Sequence, residues 1–461
     1  MFLICAIPMS RAETLRERLL AIPISEALGG ETTRPVATGD AFTFVAGNAA
    51  TETKELFSLG NQMFTTVWVP APGPQPVTDG LGPLFNRESC LDCHVQNGRG
   101  APPGDSTGKL ETSLVRVSIP GTDKNGGPNP VPIYGDQIQD RAIDGVPPEA
   151  TVQISWTEQP GEYGDGTPYS LRRPKVMLVN PQYGPFPKDL LMSFRVANPV
   201  IGLGLLEAVP RATMDELADP DDADNDGISG RVNIVFDVPA RAKKEGRFGW
   251  KANNASLRNQ NAGAALGDMG ISTPVMPIDL CLPGQDACAA AARKARPREG
   301  IEMTAKFFDQ LNIYTELIAV PKQRNGDAED VRRGERAFRD MGCAACHMPT
   351  LVTGVVDGRP EVSVQTIHPF TDLLIHDMGE GLADGRPDYL AGGSEWRTAP
   401  LWGIGLTKKV SGHTQLLHDG RARDFAEAIL WHGGEGEAAM EKFRAADKAA
   451  RDDLLSFLSS I

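Results

Sequence analysis

Two pentapeptides, Cys90-Leu91-Asp92-Cys93-His94 in "RESCLDCHVQNGRG" and Cys343-Ala344-Ala345-Cys346-His347 in "RDMGCAACHMPTL", constrain this chain more than any other feature. Two thiols three residues apart, followed at once by an imidazole, sit within little more than one helical turn. Such a unit grips a porphyrin: the thiols add to its two vinyl groups and the histidine becomes the proximal ligand of the iron. A structural zinc ion would need four ligands at tight spacing, and neither copy has a second Cys or His pair close by. A thioredoxin-like redox motif would need a βαβ setting, which neither copy has. Two covalently bound haems c are therefore expected, one on Cys90, Cys93 and His94 and one on Cys343, Cys346 and His347.

The next question is the sixth ligand of each iron. The other histidines are His368, His376, His413, His418 and His432, and none lies between His94 and His347. In "RDFAEAILWHGGEG" the apolar residues Phe425, Ile429 and Leu430 share one helical face. That helix delivers His432 at its end, 85 residues after His347. The second iron is accordingly expected between His347 and His432. His376 and His418 lie in Gly-rich turns and are expected to hydrogen-bond propionates or backbone, while His368 and His413 carry no assignment. Between residues 105 and 240, Met177 and Met192 could serve as soft ligands, although methionine more often fills core space. The first iron is expected to keep an open position.

The two motifs sit in similar surroundings. "FGWKANNASLRNQNAGAA" mirrors "LLHDGRARDFAEAILWH", with seven residues from Trp250 to Leu257 and seven from His418 to Phe425. From His94 to Trp250 is 156 residues, against 71 from His347 to His418, so the first half carries about 85 more. A composition shift locates them. From about 105 to 240 the chain turns rich in Gly and Pro, with "SLVRVSIP", "ATVQISWTE" and "RPKVMLVN" alternating as strands do. The expected architecture is mainly α: two cytochrome-c-like helical haem domains, 13–322 and 323–461, the first carrying a β-rich insertion.

Net charge is −14, which disfavours nucleic acid and anionic membrane surfaces as partners while leaving an acidic face to steer a basic redox protein. No apolar run reaches the ~18 residues of a membrane span. Residues 1–12, "MFLICAIPMSRA", have a short apolar stretch that reads as the remnant of an export signal. In an oxidising compartment Cys281 and Cys288, with Pro283-Gly284 between them, are expected to bridge. In "DPDDADNDGISGR", Asp222, Asp224, Asp226 and the Ile228 carbonyl fall at positions 1, 3, 5 and 7 of a calcium loop, with Asn233 at position 12 in place of the usual bidentate Glu.

"GPLFNRESCLDCHVQNGRG", "GRFGWKAN", "DGISGR", "GCAACHMPTL" and "WGIGLT" leading into "GHTQLLHDGRARDFAEAILWHGGEG" together resemble the di-haem oxidoreductase, putative peroxidase family, from about residue 40 to the end. More distantly the chain is similar to bacterial di-haem cytochrome c peroxidases and MauG-type enzymes. The resemblance implies that His432 stands where relatives place a Met or a Tyr. It implies that Trp250 relays electrons between the haems, and that Gln260, ten residues on, lies in the peroxide pocket. The pocket carboxylate of the relatives would correspond to Asp268, offset by two residues. Peroxidases of this type place a displaceable histidine before the tryptophan, where this chain has none. The implied function is a periplasmic oxidoreductase. Electrons from a small donor protein would enter at the C-terminal haem, and hydrogen peroxide or another small oxidant would react at the N-terminal one. A pure electron carrier and a MauG-like oxidase acting on a partner protein are the alternatives.

Overall fold

The computed structural model describes residues 13–75, 77–295 and 300–461; the apolar stretch read as a signal remnant, with Cys5, lies outside the described residues. Among the described residues the structure is 31% helix and 19% strand, with fourteen α-helices and several small sheets. This is a mixed architecture rather than the mainly α one expected. Part of the difference is the stretch 106–196, whose strands are long. The rest is a set of two-stranded ladders in the C-terminal half, 351–352 with 366–367 and 375–377 with 395–397, too short to leave a periodic pattern.

Each half is built on a pair of crossed helices that meet at a glycine. In the first, helix Thr51–Thr65 crosses helix Ala305–Leu317 at Gly60, where a Cβ would stand 2.1 Å from the Gln310 carbonyl oxygen. In the second, helix Glu329–Asp340 crosses helix Lys448–Ser460 at Gly334, where a Cβ would stand 2.0 Å from the Asp453 carbonyl oxygen. A mid-helix glycine costs stability, so its presence at both crossings marks a backbone approach that no side chain permits. Four residues after each glycine comes a phenylalanine, which leads inward. Phe64 packs on Tyr314 with ring centroids 5.2 Å apart and on His94 at 6.1 Å. Phe338 packs on Phe457 at 5.4 Å and on His347 at 6.5 Å. The same aromatic ladder thus connects each crossing to the histidine of its Cys-x-x-Cys-His motif.

The strand-rich stretch forms two three-stranded antiparallel sheets. In one, 113–122 lies between 128–129 and 191–196; in the other, 151–162 lies between 106–108 and 168–179. Alternate residues Val115, Val117, Val152 and Ile154 are buried with Tyr134, Ile138 and Phe194 in a core of their own. Strands Thr151–Glu162 and Pro168–Val179 pair over their whole length, and the hairpin tip reaches the C-terminal half. There the Asp165 carboxylate accepts from Arg451 at 2.7 Å, Arg451 also lies over the Tyr163 ring, and Gly164 N–H donates to the Arg444 carbonyl. Nearer the base, Arg172 donates to the carbonyls of Gly420 and Arg421. Cys281 and Cys288 are bridged, with Cα atoms 5.6 Å apart.

Candidate functional site: two cavities around the Cys-x-x-Cys-His motifs

The first motif folds as one capped turn. Ser89 is extended and its hydroxyl accepts from Asp92 N–H, while the Asp92 carboxylate accepts from Ser89 N–H, a reciprocal capping box. Helix Cys90–Cys93 therefore begins at a fixed place, and His94 N–H closes the turn on the Cys90 carbonyl. At the second motif Gly342, at φ +94°, turns the chain into a 3₁₀ turn at Cys343–Ala345, and His347 N–H donates to the Cys343 carbonyl. Burial pushes the Cys90 and Cys343 thiols up to about 12 and the His94 and His347 imidazoles down to about 4. The imidazoles are thus neutral, the form that ligates a metal.

Each motif opens onto a cavity. The first encloses about 1240 Å³ of empty space and the second about 2080 Å³, both partly open to solvent. The residues present fit a haem in both. His94 Nδ1 is 2.7 Å from the Asn198 carbonyl oxygen, His347 Nδ1 is 2.9 Å from that of Phe370, and His432 Nδ1 is 2.8 Å from that of Ala428. A ring N–H donated to a carbonyl fixes the tautomer and leaves Nε2 as the ligating atom. Moreover, the His347 and His432 rings face each other with centroids 6.5 Å apart. Two imidazoles bound to one ion from opposite sides, with metal–nitrogen bonds of about 2 Å, have centroids roughly 6 Å apart. The second cavity is preset for that pair.

The first cavity has no such pair. Among the described residues His94 supplies its one imidazole, whereas His347, His376, His418 and His432 all line the second. Met177 and Met192 line neither cavity; Met192 packs against the separate core of the strand-rich stretch. The face across from the motif is helix Leu257–Met269 in the first half and helix Phe425–Leu430 with its continuation in the second. The two line their cavities at a shared spacing. Gln260, Asn261, Ala264 and Asp268 line the first cavity; Ala428, Ile429, His432 and Gly436, equally spaced, line the second. Ala264 stands fourteen residues after Trp250, as His432 stands fourteen after His418. At that spacing a methyl group in the first half corresponds to the His432 imidazole in the second.

Gln260 and Asp268 meet in this first cavity. Gln260 accepts from Asn254 at 2.8 Å through its carbonyl oxygen, while its amide nitrogen makes no hydrogen bond to the described residues. Asp268 accepts from Gln137 at 2.7 Å, and burial raises its carboxyl above the ordinary range. Trp250 lines the second cavity only, donating from its indole to the Val196 carbonyl at 2.9 Å beneath the Arg99 guanidinium. Six residues line both cavities and form the wall between them: Arg99, Pro199, Arg397, Ala399, Pro400 and Trp402. Sequence reasoning had singled out none of these six. Trp402 falls within the quoted "WGIGLT", but nothing in its spacing sets it apart.

Of the remaining histidines, His376 differs from expectation. His376 is clamped between the carboxylates of Asp372, 2.9 Å from Nε2, and Glu435, 2.6 Å from Nδ1, so its ring is engaged by protein acids. Burial is the largest single influence and opposes its protonation, but Asp372 and Cys346 together outweigh it and hold the imidazole well above its usual range. His418 is stacked on Trp396 at 3.7 Å. His368 accepts from Ser25 N–H and bonds Thr350, and His413 bonds the Arg99 carbonyl. In the acidic loop Asp222 accepts from Gly227 N–H, Asp224 from Asp226 N–H and Asp226 from Ile228 N–H. The carboxylates that converge are those of Asp219, Asp222 and Asp224; Asp226 and Ile228 line the second cavity. Asn233 is buried and spends its amide on Lys251, Asp388 and Leu390, away from the loop.

Among the described residues no helix is long and apolar enough to cross a membrane. No curated protein is detectably similar in sequence. Among solved structures, hydrazine synthase from Kuenenia stuttgartiensis, pressurised with 20 bar xenon, is matched at 13% identity over 99% of this chain and 95% of that one. Its TM-score of 0.37 is too low to carry an argument. The family model described as "di-haem oxidoreductase, putative peroxidase" matches residues 24–461, both cavities included, and the chain belongs to that two-haem family.

Proposed function

We propose that the chain is an exported c-type di-haem oxidoreductase that reduces peroxide at the cavity of His94 with electrons received at the cavity of His347 and His432. Thioethers from Cys90, Cys93, Cys343 and Cys346 hold the two haems. Bound there, a haem supplies an iron that exchanges single electrons and, where a position is free, takes a small oxidant. The observation that carries the reading is Ala264 in the place of His432: one cavity is closed by two imidazoles and its neighbour is left open on the same face.

The chain's own residues complete the chemistry. Reducing hydrogen peroxide to two waters consumes two electrons and two protons. Asp268, whose carboxyl burial raises above the ordinary range, is the proton-carrying group of the first cavity, and the free amide N–H of Gln260, about two helical turns away, is a donor to an oxidant bound there. Trp250 and Trp402 supply oxidisable rings at the wall that the electrons cross. The acidic surface steers a basic donor protein, and the loop at Asp219, Asp222 and Asp224 is a calcium site.

The electronic and EPR spectra of the oxidised protein test this. One low-spin signal from a bis-imidazole haem and one high-spin signal that azide or cyanide converts to low-spin are expected. Two low-spin haems, both indifferent to azide, would sink the enzyme and leave an electron carrier. Met269, which also lines the first cavity, would then be the ligand to examine.

A further inference from the structure

The wall between the cavities contains two cations and no anion. Arg99 and Arg397 are its charged members, and both guanidinium groups are held by backbone carbonyls alone. Arg99 donates from Nε to the Gln415 carbonyl at 3.0 Å and from Nη2 to that of Leu417. Arg397, 8% exposed, donates from Nε to the Gly249 carbonyl at 2.9 Å and from Nη1 to that of Thr398 at 3.3 Å. That leaves Arg99 Nη1 and Arg397 Nη2 with no hydrogen-bond partner among the described residues, and neither side chain pairs with a carboxylate.

Buried cations nearby are treated differently. Lys251 is neutralised by Asp384 at 2.9 Å, Arg195 and Arg386 by Asp388 at 2.6 and 2.8 Å, and Arg421 by Asp419 at 2.8 Å. Burying a charge without a counter-ion is costly, and removing one partner from a buried pair is strongly destabilising. Two arginines left unpaired in one wall therefore call for anions from outside the chain. Guanidinium is the side chain that grips a carboxylate bidentately. Thioether attachment uses the vinyl edge of a porphyrin and leaves its two propionates free on the other side.

We propose that Arg99 and Arg397 form a carboxylate-binding bridge in the wall common to both cavities, pairing with propionates that reach it from the two sides. The inference rests on the two-haem reading above and adds to it: both haems present their propionate edges to one shared pair of cations. A charge change at either arginine is then felt by both irons.

The test is a spectroelectrochemical titration of the holoprotein carrying Arg99→Gln or Arg397→Gln, with covalent haems counted by mass. Removing a positive charge beside a haem favours its oxidised state. Each substitution should lower both midpoint potentials while two haems stay attached, and Arg99→Lys or Arg397→Lys should restore most of the shift. A shift at one haem only, or at neither, overturns the bridge while leaving the two-haem reading intact; wild-type protein lacking two covalent haems overturns both. Resonance Raman spectra of the wild type give an answer should a Gln variant not accumulate. Propionate bending modes of both haems should respond to deuterium exchange of the bonded N–H groups, and modes indifferent to it would refute the bridge.

Discussion

Single side chains decide what the two cavities can do. If Ala264 leaves the first iron open by lacking a donor, Ala264→His should close it. The high-spin signal should vanish and peroxide turnover should fall by at least two orders of magnitude, with the second haem's spectrum unchanged. Stopped-flow mixing with peroxide and EPR of the same sample check both parts. Outside the lining of either cavity, Glu149 sets a pH dependence on stability. Burial pushes its carboxyl from 4.5 up to about 8, against the N–H groups of Gln139 and Gln285 that lower it. A carboxyl raised in this way contributes stability that is complete below its unfolded value and disappears as pH climbs through the folded one. Wild type should therefore lose stability between pH 5 and pH 8, by an amount on the order of a few kcal/mol. Glu149→Gln should flatten that slope in thermal melts, whatever it does to the melting temperature at pH 5.

The helix crossings belong to the scale of elements. Gly334→Ala would place a methyl group 2.0 Å from the Asp453 carbonyl oxygen and 2.7 Å from Phe457 Cβ. The helices must part, at a cost of roughly 1–3 kcal/mol. Because Phe338 and Phe457 lead from that crossing to His347, the second haem's absorption should melt at a lower temperature while the first haem's is spared. Gly60→Ala should do the converse. These crossings were legible in the sequence and went unread: Gly60-x-x-x-Phe64 and Gly334-x-x-x-Phe338 are the same pattern. The strands near 113–122, 151–162 and 168–179 could be read, because strict periodicity leaves a local trace, and the two-haem family could be read from the paired Cys-x-x-Cys-His motifs. The wall could not. Arg99 and Arg397 are nearly 300 residues apart, and their shared place comes from tertiary folding that no spacing encodes. His376 was misjudged for the same reason, since its partner Glu435 arrives from 59 positions away.

For the whole molecule, the hairpin 151–179 ties the halves together. Its tip is anchored by Asp165 and Tyr163 on Arg451, and its middle by Arg172 on the 420–421 carbonyls, beside the segment that carries His432. The combined variant Tyr163→Ala/Asp165→Ala should release the tip and split one calorimetric transition into two, with the second haem melting first. A single transition at an unchanged temperature would show that the hairpin carries no mechanical load. A different consequence follows from the 6.5 Å spacing of His347 and His432. If the two rings hold one iron as proposed, that spacing leaves little nuclear rearrangement when the ion changes valence, and electron exchange there faces a small reorganisation energy.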